Sequence, residues 1–425
     1  MGKIVLKSAT LPGLDGHNRV VNVLIEGNRF SKITESGVDV PTGAEVVDCS
    51  RFALFPAFYN GHTHAAMSLL RGYADDMPLQ KWLQEYIWPF EAKLTGDDIE
   101  PACRLAFLEM IKSGTVFFAD MYWHRERTIK VVEEMGIRAA VGVTFAESLM
   151  TAEQIEGNFN FLAAHTGESE RVRLAVAPHS VYTVGEKLLK RCADFARAEN
   201  FFVHTHLSET LKELEDCEKQ YGCSPVRLLE RAGMLDSNLA AAHCVHFSDD
   251  DMKAFVDSGA TAVLNPCSNL KLASGIPPID RLLRARAKVA LGTDGDSSNN
   301  NLDMHEEMKL AALLAKVQGG AETLPAQDAL KMATVNSARA YGLLDAGEIR
   351  EGYLADCLLV DMKNERMVPG HNLVSNWVYA ADSSCIDSVI CNGKFVMRGR
   401  HVDGEEDIVR EAEACAKRLA SYKSC

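Results

Sequence analysis

Short apolar runs alternate with amphipathic stretches through the middle of the chain. Turn-forming residues bound the apolar runs, which span positions 53–59, 115–121, 139–145, 172–178, 201–207, 239–245, 261–266 and 288–293. Brief, continuously apolar runs are typical of parallel strands that are buried on both faces. The stretches between them carry apolar residues near the helical period, as in 98–112, which Gly114 terminates. We therefore predict an α/β protein with eight strands and intervening helices, the order of a closed (β/α)8 barrel.

Both ends of the chain follow a different pattern. Before residue 50, strand-like stretches at 4–6, 20–25 and 30–33 are separated by turns. After the eighth apolar run come helical stretches at 302–317 and 325–341, strand-like stretches at 356–360 and 389–396, and a final helix at 405–422. We predict a small discontinuous β-sandwich domain formed by both chain ends (1–55 and 346–425), with the barrel (56–345) inserted in it.

Composition narrows the class of protein. The 425 residues are 47% apolar and 24% charged, which is ordinary for a globular protein. A net charge of −14 without a basic run argues against nucleic acid or an anionic membrane as a partner. No long uncharged apolar stretch or signal-peptide segment occurs, and the 12 cysteines form no CxxC pair. We expect a cytoplasmic protein that forms a homo-oligomer, as barrels of this size commonly do.

Polar residues with catalytic potential gather at the ends of the predicted strands. Barrel enzymes place their active sites at the carboxyl ends of the strands, so these residues are candidates for one site. In chain order they are His62, His64, His179, His206, Glu209, His243 and Asp294.

The spacing of these residues indicates a metal site. On an extended segment His62 and His64 point the same way and can bind one ion from one side. His206 and Asp294 would complete a ligand set that suits zinc and leaves a position for water, whose pKa a catalytic metal lowers toward ~7. Glu209 lies one turn of chain beyond His206, where it could transfer protons.

Each residue also has a plain structural explanation. Two histidines two positions apart are often ordinary polar residues, Asp294 could belong to a turn, and His243 could be a hydrogen-bonded core histidine. The coincidence of such residues at several strand ends favours the metal site.

Several segments resemble the amidohydrolase superfamily, over nearly the whole chain: PAFYNGHTH at 56–64, LGTDG at 291–295 and GEIREGYLAD at 347–356. Within it, MSLLRG at 67–72, HCVH at 243–246, PCSNLKL at 266–272 and DGDSSN at 294–299 resemble the 5-methylthioadenosine/S-adenosylhomocysteine deaminases.

The resemblance implies a metal-dependent hydrolytic deaminase, a hydrolase of C–N bonds other than peptide bonds. It would convert the adenine of a nucleoside (5'-methylthioadenosine, 5'-deoxyadenosine, adenosine or S-adenosylhomocysteine) to hypoxanthine and release ammonia. His62, His64, His206 and Asp294 would hold one divalent metal, with Zn²⁺ expected and Fe²⁺ or Mn²⁺ as alternatives.

The resemblance also implies the remaining roles at the site. Glu209 would protonate the ring nitrogen, His243 would orient and polarise the attacking hydroxide, and Asp294 would carry the water proton to the departing ammonia. Glu91 would bind the ribose hydroxyls and His179 the nucleoside. Trp82 would lie near the pocket, and His204 and His246 would support the neighbouring site residues. Glu91 could instead be a solvated helix carboxylate, and Trp82 a core residue.

One feature departs from the family pattern. The resemblance implies that members acting on S-adenosylhomocysteine hold its amino-acid carboxylate with arginines just after the third strand. Here no arginine occurs between Arg138 and Arg171. A buried carboxylate without a cationic partner is costly. A less charged 5' group is therefore the better expectation, unless Arg125 or Arg127 substitutes.

Two other functions stay open. One is a deaminase or chlorohydrolase-like hydrolase of another N-heterocycle such as guanine, a pterin or a triazine. The retained Glu209 favours deamination over it. The other is a catalytically inactive barrel that acts as an assembly protein, against which the intact set of candidate ligands argues.

Overall fold

The structure is a computed structural model that describes residues 2–13, 16–165 and 169–420. Within these ranges sixteen strands form two sheets. The strands are β1 (Lys3–Leu11), β2 (Arg19–Glu26), β3 (Arg29–Thr34), β4 (Glu45–Asp48), β5 (Phe52–Pro56), β6 (Phe58–Thr63), β7 (Thr115–Tyr122), β8 (Arg138–Phe145), β9 (Val172–Pro178), β10 (Phe202–Leu207), β11 (Leu239–His243), β12 (Thr261–Leu264), β13 (Lys288–Leu291), β14 (Cys357–Asp361), β15 (Ile386–Cys391) and β16 (Lys394–Met397).

Strands β6 to β13 form the barrel, each pairing in parallel with the next along the chain. Its first and last strands meet just beyond β13, where the Asp294 N–H donates to the His62 carbonyl at 3.0 Å. Gly292 permits this approach, because a Cβ atom there would lie 2.6 Å from the His62 nitrogen. The predicted barrel is confirmed, and its closure ties together the two strand ends that carry His62 and Asp294.

Helices cover the barrel and connect its strands. They are α1 (Leu79–Trp82), α2 (Trp88–Glu91), α3 (Gly96–Lys112), α4 (Arg125–Met135), α5 (Ala152–Ala164), α6 (Glu186–Glu199), α7 (Leu211–Tyr221), α8 (Pro225–Arg231), α9 (Asp249–Ser258), α10 (Pro266–Lys271), α11 (Ile279–Arg284), α12 (Met304–Gly319), α13 (Ala326–Met332), α14 (Val335–Ala340), α15 (Leu373–Tyr379) and α16 (Glu405–Ala420). A π-helical turn, Leu83–Ile87, joins α1 to α2, and 3₁₀ turns occur at Ala65–Leu70 and Ser383–Cys385. None of the helices in the described ranges combines the length and apolarity that crossing a membrane requires.

The second sheet contains strands from both chain ends, in the order β16-β15-β14-β5-β1-β2-β3, with β4 paired to β1. It packs over its own apolar cluster and also against the barrel. In β5, Leu54 joins the cluster of the small sheet, whereas Ala53 and Phe55 join the barrel core on the other face. The predicted small β domain made of both chain ends is thus confirmed.

Three element bounds differ from the sequence prediction. The apolar run at 53–59 is divided between β5 of the small sheet and β6 of the barrel, since both strands are buried on both faces and read as one run. The helical stretch at 325–341 is two helices, α13 and α14. They are separated at Thr334, whose φ of −128° and ψ of −98° are not helical.

The strand-like stretch at 389–396 is part of a hairpin. Strands β15 and β16 are joined at Asn392 and Gly393, which have φ angles of 53° and 69°. The final helix was predicted at 405–422 and spans Glu405–Ala420; positions 421–422 lie outside the described residues.

Candidate active site

The predicted metal ligands lie together at one end of the barrel. His62 is in β6 with His64 just after it, His206 is in β10, and Asp294 follows β13. His243, predicted to orient the attacking hydroxide, ends β11. Because the strands are parallel, all five positions are at the carboxyl-terminal rim. Each of these residues is at most 9% exposed, so their polar atoms meet in a buried site.

The polar atoms of these side chains converge on one point. Ligand atoms of His62, His206, His243 and Asp294 all lie within 4.8 Å of one another. His64 Nε2 is 3.2 Å from both His206 Nε2 and Asp294 Oδ1, and His62 Nε2 is 3.3 Å from the same Asp294 oxygen. Four imidazoles and one carboxylate therefore surround a space that one metal ion could occupy.

Hydrogen bonds orient the ligand nitrogens. His64 Nδ1 donates to the Met121 carbonyl and His206 Nδ1 to the His179 carbonyl, each at 2.6 Å. A carbonyl only accepts, so Nδ1 carries a proton in both residues and Nε2 is the nitrogen that faces the site. His62 Nδ1 lies 2.8 Å from His204 Nε2, and the buried His62 Nε2 has no hydrogen-bond partner among the described residues. These observations fit a metal centre, since an orphaned buried nitrogen is costly unless it binds a ligand.

Asp294 supplies the negative charge. Its Oδ2 accepts hydrogen bonds from Ser268 Oγ at 2.6 Å and Ser298 Oγ at 2.8 Å, which leaves Oδ1 facing the histidines. Burial opposes ionisation of Asp294, but its contacts with His62 and His64 outweigh burial and hold its pKa well below the usual range. Burial likewise lowers the pKa of His64, and the Asp294 carboxylate overrides it and raises that pKa to about 9. Asp294 is therefore ionised, and its negative charge favours a positively charged group in the site, whether a protonated His64 or a metal ion.

Glu209 and His243 form a second pair beside the ligands. Glu209 Oε2 lies 3.8 Å from His243 Nε2, and its Oε1 accepts a hydrogen bond from Ser274 Oγ at 3.2 Å. Burial, followed by the nearby Asp294 charge, raises the pKa of Glu209 to about 8. A pKa above 7 favours the protonated form of Glu209 at neutral pH, which is the form that its predicted role as a proton donor requires.

A cleft of about 650 Å³, counting its open mouth, leads to these residues, and Trp82, Glu91 and His179 line it. The Trp82 indole N–H donates to the Ala74 carbonyl at 3.1 Å, so this donor already has a partner within the protein. Burial raises the pKa of Glu91, and the Tyr122 and Trp123 side chains beside the carboxylate offset part of that rise. Glu91 Oε1 is buried and makes no hydrogen bond of ordinary geometry among the described residues, so it can accept one from a hydroxyl group. Burial, and then the charge of His64, lowers the pKa of His179 to about 3, so that imidazole is neutral.

An outer chamber adjoins the cleft and shares wall residues with it, Glu91 among them. Arg125 lines this chamber, with Nη1 donating to Asn158 Oδ1 at 3.0 Å and the guanidinium carbon 4.0 Å from the centre of the Phe161 ring. Arg125 also pairs with Glu126, which is more exposed, at 3.3 Å. Arg127 pairs with Glu100 at 2.6 Å and lines neither chamber. Of the two arginines that could substitute for the missing family pair, Arg125 is the one near the site.

Two residues without a predicted role contact the predicted site residues Asp294 and His243. Ser268 binds Asp294, and the Asn269 amide nitrogen lies 2.9 Å from His243 Nδ1. Both are in α10, which begins directly after the end of β12, and both belong to the PCSNLKL segment that carries the family resemblance. That position, immediately beyond a barrel strand, is the signal in the sequence that could have found them.

The fold and the site together define a class of protein. The sequence profile of the Amidohydrolase family matches residues 53–396. The chain belongs to the amidohydrolase family, a metal-dependent family, and is a hydrolase that acts on C–N bonds other than peptide bonds. The predicted family is confirmed.

Individual relatives lie within this class. The chain is 43% identical to the 5-methylthioadenosine/S-adenosylhomocysteine deaminase of Pelotomaculum thermopropionicum, over 99% of this chain and 100% of the relative. It is 41% identical to the 5'-deoxyadenosine deaminase of Methanosphaera stadtmanae, over 98% and 99% of the two chains. The crystal structure of an adenosine deaminase from Xanthomonas campestris with bound zinc superimposes with a TM-score of 0.92, at 31% identity and 99% coverage of both chains.

Proposed function

We propose that this protein deaminates the adenine ring of a nucleoside by hydrolysis. The reaction converts adenine to hypoxanthine within the nucleoside and releases ammonia. The observation that carries the proposal is the buried Glu209 carboxyl, 3.8 Å from His243 Nε2 and beside the His/Asp cluster that lines the cleft. A ring nitrogen must accept a proton before ammonia can leave, and Glu209 supports deamination over reactions that need no such donor.

His62, His64, His206 and Asp294 would hold one divalent metal. When bound, the metal supplies Lewis acidity and brings the pKa of a coordinated water toward ~7. A site dominated by imidazoles favours zinc, and zinc is present in the Xanthomonas structure; Fe²⁺ and Mn²⁺ are the alternatives.

Three residues would move or hold protons during the reaction. Asp294 takes a proton from the attacking water, and His243 orients and polarises that water. Glu209 gives its proton to the ring nitrogen next to the carbon that bears the amino group. When the C–N bond breaks, Asp294 passes its proton to the departing amine, which leaves as ammonia. As the C=O bond of the product forms, the proton of the added hydroxyl returns to Glu209, and the ring nitrogen keeps the proton that Glu209 gave it.

Glu91, His179 and Trp82 would bind the rest of the nucleoside. The unpaired Glu91 oxygen is suited to the ribose hydroxyls, the neutral His179 to a hydrogen bond with the nucleoside, and the Trp82 ring to an apolar contact. The 5' substituent would then point into the outer chamber. Because Arg125 lines that chamber, a carboxylate there would have a cationic partner, and S-adenosylhomocysteine belongs among the candidate substrates beside the less charged nucleosides.

An ammonia-release assay tests the proposal. The enzyme, purified without chelators, is given adenosine, 5'-deoxyadenosine, 5'-methylthioadenosine and S-adenosylhomocysteine in turn. We expect kcat/KM of at least about 10⁴ M⁻¹ s⁻¹ with one or more of them. If ammonia or chloride is released only from guanine, a pterin or a chlorotriazine, the protein is a hydrolase of another N-heterocycle and the proposal is wrong. No reaction, with less than ~0.2 metal per chain, would indicate an inactive barrel.

A further inference from the structure

A second buried carboxylate stands behind Glu209. Glu213 is in the first turn of α7, is 2% exposed and does not line the cleft. Its two oxygens accept backbone hydrogen bonds, Oε1 from the Ser208 N–H at 2.9 Å and Oε2 from the Glu209 N–H at 2.7 Å. Glu213 therefore holds the backbone of the turn that carries Glu209.

The same turn is held from its other side by the neighbouring strand end. The Ser208 carbonyl accepts hydrogen bonds from the Val245 and His246 N–H groups, at 3.1 and 3.0 Å. Ser208 has a φ of 52° and His243 a φ of 74°, left-handed conformations that residues other than glycine keep only when their surroundings enforce them. The hydrogen bonds to Glu213 thus complete a frame that fixes Glu209 relative to His243.

Helix capping does not account for this arrangement. Asp251 occupies the same third position in α9, and its carboxylate returns to the residue that caps its own helix, Ser248, at 3.2 Å from the N–H and 2.7 Å from Oγ. Glu213 does not bind the backbone of its helix-capping residue Thr210, and reaches the two residues before it. Glu213 therefore stabilises the turn that carries Glu209 rather than the end of its own helix.

We propose that Glu213 is a positioning residue of the deamination reaction, which keeps the Glu209 carboxyl against Ser274 and within reach of the ring nitrogen. This inference rests on the proton-donor role that the proposed function gives to Glu209. Displacement of a catalytic group by 1 Å can cost about 100-fold in rate, so loss of the frame should lower kcat rather than weaken substrate binding.

Glu213→Gln removes one of the two acceptor oxygens with little change in shape. Its amide oxygen can serve one backbone N–H, while its NH₂ group faces the other. We expect kcat to fall about 10- to 100-fold and KM to change less than about 3-fold, with the metal content of the wild type. Should this variant not fold, Glu213→Asp, which keeps both oxygens on a shorter side chain, replaces it.

A double-mutant cycle with Glu209→Gln distinguishes positioning from a general structural effect. In the Glu209→Gln background the group to be positioned is gone, so adding Glu213→Gln should cost less than about 3-fold further. The control is Asp251→Asn, which should lower the melting temperature and leave kcat unchanged.

Equal losses of kcat in both backgrounds, a Glu213→Gln enzyme within about 3-fold of wild type, or a loss that follows the metal content would each overturn the inference. Glu209→Gln alone tests the proposed function: wild-type activity in that enzyme would remove the proton-donor role itself. If Glu209→Gln loses most of its activity, but Glu213→Gln lowers kcat by the same factor in the wild-type and Glu209→Gln backgrounds, only the role of Glu213 would be refuted.

Discussion

Replacement of Glu209 by glutamine is the most direct test of the proposed chemistry. Glu209 is 4% exposed, and burial followed by the Asp294 charge raises its pKa to about 8. At pH 7 the wild-type side chain is therefore neutral, and glutamine matches it in size and charge. The amide oxygen can still accept the hydrogen bond from Ser274. What the variant lacks is a proton to give.

The expected loss follows from that single difference. General acid catalysis contributes about 10²- to 10⁴-fold to a rate, which corresponds to about 3–5 kcal/mol of activation free energy. Because no charge is removed and no ligand is lost, the melting temperature and the metal content should stay close to those of the wild type.

The assay is the loss of adenine absorbance at several pH values. In the wild type the proton donor is present below pH 8 and lost above it, so kcat/KM should fall on the alkaline side of a midpoint at about 8. In Glu209→Gln this alkaline limb should be absent, since the group that titrates has been removed. Glu209→Asp, which keeps the acid but shortens its reach, should retain the limb at a lower rate.

Two results would refute this reasoning. One is a Glu209→Gln enzyme within about 10-fold of wild-type kcat. The other is an alkaline limb that persists unchanged in the variant, because the titrating group would then lie elsewhere.

Three further predictions concern the metal, the 5' group and the barrel seam. His206→Asn should lower the metal content at least about 10-fold, measured by elemental analysis, whereas His305→Asn, at a buried histidine that packs on Trp377 and lines neither chamber, should not; equal metal in both variants would contradict the ligand assignment. Arg125→Met should raise KM about 10- to 100-fold for S-adenosylhomocysteine and leave 5'-methylthioadenosine unchanged; equal effects on both substrates would contradict carboxylate recognition. Gly292→Ala should cost about 3 kcal/mol in denaturant unfolding, because its Cβ would lie 2.6 Å from the backbone nitrogen of His62; an unchanged midpoint would contradict the tight seam.

Some predictions from the sequence remain untested. They are the domain bounds 1–55, 56–345 and 346–425, the homo-oligomeric state, the cytoplasmic location, the exclusion of nucleic acid and the roles of the individual site residues. The structure brings the predicted site residues together, but only binding and kinetic measurements assign their roles.

The amino-acid sequence determined the barrel and the residues of its rim. Strand order and helix positions follow from local periodicity, and a parallel barrel puts every strand end on one rim. His62 and Asp294 are 232 positions apart in the chain, yet both could be assigned to that rim from their places beside apolar runs. Local patterns suffice here because the barrel geometry converts position along a strand into position in space.

Only the tertiary structure decided what depends on contacts between distant segments. It divided the run at 53–59 between two sheets, because a strand buried on both faces looks the same in either. It placed Arg125, rather than Arg127, beside the cleft, and it turned the Glu213 carboxylate toward the turn of Glu209. The direction of a side chain at a loop or helix end depends on packing between elements, and no periodicity in the sequence records it.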